Sequence, residues 1–97
     1  MDRQSVLSLL GEHREEMRTR FGVGLIALFG SYARDEARPD SDVDLLVEFE
    51  TRPTFLGYMG LIEYLEDLFG TRVDIATKAK LKPRIRPSVE EELIRVA

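Results

Sequence analysis

The sequence predicts a small α/β (α+β) unit in which helices pack against one mixed β-sheet. Two long stretches carry apolar residues at helical spacing, three short runs are rich in β-formers, and glycines or prolines punctuate the joins between them. At 97 residues the chain is long enough for one hydrophobic core, and it reads as a single domain over 1–97.

The first helix is expected from Asp2 to Arg20. Val6, Leu9, Leu10, His13, Met17 and then Phe21 recur every three or four residues, so they share one face. Asp2 suits the start of that helix and Gly22 its end. His13, the one histidine, lies on or beside the stripe and reads as a core-edge imidazole with a wet tip. Val23 to Phe29 is short, apolar and β-rich, as a buried strand should be. Ser31 to Ala37 has room for about two helical turns, and Arg38-Pro39-Asp40-Ser41 carries turn chemistry.

A second strand carries Asp42 and Asp44 and continues through Leu45, Leu46 and Val47 until Glu50-Thr51-Arg52-Pro53 ends it. From Phe55 to Phe69 a second long helix places Phe55, Met59, Ile62, Leu65 and Leu68 or Phe69 on one face, with Gly70 as its C-terminal stop. A helix between two strands suggests a crossover. Arg72 to Thr77 is the third strand, in which Asp74 alternates with Val73 and Ile75. The basic run Lys78, Lys80, Lys82, Arg84 and Arg86 reads as a solvated face, and Ser88 with Glu91 suggests a capping box for a last short helix ending near Arg95. The sheet is expected to hold three strands or slightly more.

Composition narrows the function. The net charge of -4 argues against a general nucleic-acid binder, so no stable direct nucleic-acid contact is expected. The absence of cysteine excludes disulfides and thiolate metal sites. No apolar run approaches membrane-spanning length and no signal-peptide pattern opens the chain, which points to the cytoplasm and away from membranes. Apolar residues left exposed on the 55–69 helix would favour self-association.

Chemistry concentrates between Phe29 and Phe49. Alternation along a strand puts Asp42 and Asp44 on one face with Val43 on the other. Like charges held that close resist joint ionisation unless a cation neutralises them, and a hard divalent ion such as Mg2+ takes carboxylate oxygens readily. Upstream, Gly30 and Ser31 follow directly from a strand, where backbone amides can approach an anion. A phosphate site and a metal site this near each other describe a nucleotide–Mg2+ site.

The segments G-S-Y-A-R at Gly30–Arg34 and S-D-V-D-L at Ser41–Leu45, with the separate Asp74, resemble the nucleotidyltransferase superfamily of DNA polymerase beta. Within it the chain looks most like the minimal nucleotidyltransferase (MNT) antitoxins, which hold little besides the catalytic domain. The resemblance spans almost the whole chain and implies a polymerase-beta-like nucleotidyltransferase fold. It also implies ATP as nucleotide donor, Gly30, Ser31, Arg34 and Ser41 at the nucleotide, and Asp42, Asp44 and Asp74 as catalytic metal ligands for two Mg2+ ions. Most members carry glycine after the motif arginine, where this chain has Asp35. The family setting implies a HEPN-domain toxin as partner, silenced when AMP is attached to one of its tyrosines. Two other roles fit the same residues: a module that masks a toxin without chemistry, or a transferase acting on a small molecule or an RNA end.

Overall fold

A computed structural model describes residues 1–77 and 91–96. Four strands form one sheet in the order β3-β2-β1-β4, where β1 is Val23–Phe29, β2 Val43–Phe49, β3 Val73–Ala76 and β4 Ile94–Arg95. Strand β1 runs antiparallel to β2 and β4, while β2 and β3 are parallel, so the sheet is mixed as expected.

Helix α1 spans Arg3–Phe21, and its caps are the two residues the sequence offered. Asp2 accepts the Ser5 N–H at 2.8 Å, and Gly22 closes the helix with φ 69. Helix α3, Phe55–Phe69, starts at Thr54, whose hydroxyl accepts the Gly57 N–H, and ends at Gly70 with φ 67. It connects parallel β2 to β3, a connection that needs a crossover because parallel strands cannot be joined by a tight turn. Glu66 of α3 accepts the Val73 N–H at 3.1 Å, tying the helix to the first residue of β3.

The core lies between the helices and one face of the sheet. Val6, Leu10 and Met17 of α1 and Leu61 and Leu65 of α3 are fully buried with Ile26, Leu28, Val43, Leu45 and Val47. The other face is thinly covered by a small cluster, Ala27 and Leu46 with Leu25, Phe29, Ala76 and Leu93. Among the described residues no helix is long and apolar enough to cross a membrane.

Three expectations need correction. Phe55 and Met59 do not join the buried face of α3. They are 76% and 41% exposed, with Leu56 at 80%, because the face turned to the core runs through Tyr58, Leu61, Leu65 and Phe69, to one side of Phe55 and Met59. The helix after β1 is a single turn, α2, Gly30–Ala33. It cannot continue because Asp35 turns left-handed with φ 59. The last helix ends at Glu92, short of the expected Arg95, because Ile94–Arg95 is strand β4, held to Ala27 and Leu28 of β1. Lys78 to Arg86 and Ser88 lie outside the described residues.

Substitution on α3 separates packing from propensity. Leu65→Ala removes a side chain with no exposed surface and is expected to cost about 2–5 kcal/mol. Leu56→Ala, at 80% exposure on the same helix, is expected to stay within about 0.5 kcal/mol of wild type. Urea unfolding of both variants checks the difference.

Candidate active site

The end of β1 and the starts of β2 and β3 meet at one edge of the sheet. Phe29, the last residue of β1, pairs with Asp44, and Asp44 pairs in turn with Asp74 on parallel β3. Residues paired across neighbouring strands point to the same face, so the two acidic side chains leave the sheet side by side from backbones about one strand spacing, ~4.8 Å, apart. They share the thinly covered face, since Val43, Leu45, Val73 and Ile75 belong to the core between sheet and helices. Asp42 lies just before β2 and Val43 donates to the Arg72 carbonyl at 2.9 Å, so the pleat holds where Asp42 enters the strand.

Gly30 brings the chain against these acids. Its φ of +75 lies in the left-handed region, and a Cβ built on it would meet Asp44 Oδ2 and come within 2.9 Å of Asp44 Cγ. No side chain fits there. Ser31 and Tyr32 follow within α2; Tyr32 is buried, anchoring the turn to the core, and Ser31 is half-buried. Arg34 lies at the C-terminal end of α2, where its guanidinium reaches Glu36 at 3.2 Å and Glu92 at 2.9 Å. Ser41 shapes the loop: its hydroxyl accepts the Arg38 N–H at 2.8 Å and its carbonyl accepts from the Thr71 hydroxyl at 3.4 Å. His13 is remote, with Nδ1 2.9 Å from the Leu9 carbonyl on α1 and its ring edge-on to Tyr64.

Electrostatics mark Asp44 as the centre. Burial, then the charge of Asp74, then that of Asp42, pushes its carboxyl up from 3.8 to about 6. Glu92 adds to the rise and Arg34 opposes it. Negative charge is thus crowded at a half-buried point, and the donor set of carboxylate oxygens is what a hard divalent cation prefers. Among the described residues no three acidic side chains converge closely enough to cage an ion by themselves. Where Mg2+ acts on nucleotides it is commonly held by one or two carboxylates together with substrate phosphates.

Two features escaped the sequence reading. Glu92 is the residue that reaches the Gly30 turn, whereas the spacing of a capping box drew attention to its neighbour Glu91. The other is the left-handed backbone at Asp35, a region that aspartate is among the few residues to tolerate. The short run Leu93-Ile94-Arg95-Val96 was the available signal for β4.

Comparison with known proteins agrees with this geometry. The nucleotidyltransferase domain model matches residues 10–96. The chain is 48% identical over 93 residues to the protein adenylyltransferase MntA of Thermococcus cleftensis, covering 96% of this chain and 94% of that one. It superposes with a TM-score of 0.79 on a solved structure described as a "putative minimal nucleotidyltransferase", at 44% identity and covering 97% and 95% of the two chains. It shares the fold of a chain in the complex of tri-AMPylated Shewanella oneidensis HEPN toxin with MNT antitoxin, at 18% identity, a TM-score of 0.65 and coverage of 94% and 71%. With the Gly-Ser turn set against aspartates of adjoining strands, these matches place the chain in the nucleotidyltransferase family.

Proposed function

We propose that this protein is a Mg2+-dependent adenylyltransferase that moves AMP from ATP to a protein hydroxyl, with a tyrosine of a HEPN toxin as acceptor and silencing of that toxin as the outcome. The observation that carries the reading is the in-register pairing of Asp44 with Asp74 beside a turn where glycine alone fits. The names of the relatives support the partner and the donor: one is a protein adenylyltransferase, and structural neighbours include a toxin–antitoxin complex with AMP-PNP. The reaction would take place in the cytoplasm.

In the proposed step the acceptor oxygen attacks the α-phosphorus in line, the bond to the β-phosphate oxygen breaks, and pyrophosphate leaves. Asp42, Asp44 and Asp74 would hold Mg2+, which when bound neutralises phosphate oxygens and stabilises the entering and leaving oxygens. Asp74 is exposed, so an incoming hydroxyl can reach it, and its carboxylate would take the proton that the hydroxyl releases. Backbone N–H groups at Gly30 and Ser31, the Ser31 hydroxyl and Arg34 would bind the terminal phosphates. Ser41 would act on the nucleotide through the loop it closes before Asp42.

Transfer of label from α-labelled ATP to a co-purified HEPN partner tests the assignment. Asp42→Asn with Asp44→Asn is expected to lower transfer at least about a hundredfold, the scale of losing a preorganised charge-stabilising group. Unchanged transfer would rule the assignment out, and an unmodified partner mass after co-expression with the wild-type chain would rule out the chemistry.

Stability should move the other way. A carboxyl whose pKa rises on folding destabilises the folded state at every pH above the raised value, and the penalty fades as pH falls from about 6 toward 3.8. In EDTA, Asp44→Asn is therefore expected to raise the Tm at pH 7, with a smaller gain at pH 5. Paired thermal melts at the two pH values check the sign.

A further inference from the structure

Glu92 has no part in the chemistry above, yet it holds two groups assigned to the phosphates. One carboxylate oxygen accepts the Gly30 N–H at 3.3 Å, and the other accepts from Arg34 Nη1 at 2.9 Å. Its position is set by the backbone. Strand β4 pairs with β1 through Ala27↔Arg95 and Leu28↔Ile94, and the two residues of the contact flank that pairing, Gly30 directly after β1 and Glu92 two residues before β4. The Val96 N–H donates to the Ile26 carbonyl at 2.8 Å and fixes the strand from its other end. The contact thus sits next to a pair of strands that holds both chain segments in place.

Carboxylate and phosphate oxygens accept from the same donors. We propose that Glu92 is an internal surrogate for the donor's phosphate: it occupies the Gly30 N–H and the Arg34 guanidinium in the free protein, must leave for a polyphosphate to enter, and thereby sets nucleotide affinity. The proposal rests on the reading of Gly30 and Arg34 as phosphate contacts. Charge supports it, because Glu92 adds a fourth carboxylate to a locality that already holds Asp42, Asp44 and Asp74, and an arriving polyphosphate is repelled by each. A residue that merely propped Arg34 and the turn into shape for phosphate would have the opposite effect when neutralised. Glu36 provides the control. It also pairs with Arg34, through Nε at 3.2 Å, while the carboxylate on the Gly30 N–H is that of Glu92.

The experiment is calorimetric titration of the whole chain with inorganic tripolyphosphate at saturating Mg2+, repeated with AMP-PNP, while NMR follows the Gly30 amide. Glu92→Gln is expected to bind tripolyphosphate about three- to tenfold tighter than wild type, the range available from one partly exposed ion pair and one hydrogen bond. Glu92→Asp, whose shorter side chain retreats from both donors, is expected to fall between the two, and Glu36→Gln within about twofold of wild type. The Gly30 amide resonance is expected to shift in Glu92→Gln before any ligand is added. Weaker or equal binding by a folded Glu92→Gln protein overturns the surrogate while the phosphate reading stands. Binding by neither protein overturns that reading and the surrogate with it.

Discussion

Position 30 must be glycine for two independent reasons, and the site depends on both. The backbone there is left-handed, and the space that a Cβ would fill is taken by the carboxylate of Asp44. Removing one methyl group's worth of volume lets the main chain run directly over an acid on the neighbouring strand. The result is a close approach between backbone N–H donors and a cluster of negative charge, which on the proposed reading supply the two halves of a polyphosphate–cation site. A side chain at this point would move Asp44 or reopen the turn.

The apolar packing makes that arrangement affordable. Both long helices cover the same face of the sheet, so the dominant burial lies between α1, α3 and the Val43–Leu45–Val47 face. The opposite face carries only a small cluster around Ala27 and Leu46. Charges placed at the rim of that face stay near water, and the desolvation that lifts Asp44 is partial. The crossover through α3 matters as much. It makes β3 parallel to β2 in a register that pairs Val43 with Val73 and Asp44 with Asp74, so apolar residues align on one side and acids on the other. A slip of one residue would bury Asp74 under α3 and expose Val73.

Most of this was legible, for reasons that differ by element. The limits of β1 and α3 were readable because apolar periodicity and a terminal glycine agreed at each, and local signals that agree are seldom overridden by packing. The phase of α3 was misjudged at Phe55 and Met59 because apolar residues occupy two neighbouring stripes of this helix, and only the packing selects the one through Tyr58, Leu61, Leu65 and Phe69. The length of α2 was misjudged because Asp35 looks compatible with a helix, whereas its left-handed backbone closes the turn by letting the Glu36 N–H reach back to the Ser31 carbonyl at 2.9 Å. The acids were legible as a pair on one strand; the partnership with Asp74 required the register, which no short window contains. Glu92 was the least accessible, since its place depends on a two-residue strand that returns across the whole chain.

The charges of the site explain why its two halves would load together. In the free chain Asp42, Asp44 and Asp74 crowd one another, while Arg34 is held by Glu36 and Glu92 and the Gly30 N–H is also satisfied by Glu92. A cation arriving alone relieves the acids but leaves the phosphate donors engaged. A polyphosphate arriving alone must displace Glu92 against the repulsion of every acid nearby. A nucleotide already bound to Mg2+ answers both conditions at once, because its cation neutralises the carboxylates that would repel its phosphates. On the reading proposed here, the chain discriminates for the metal-bound form of the donor through the same crowding of charge that destabilises its empty fold.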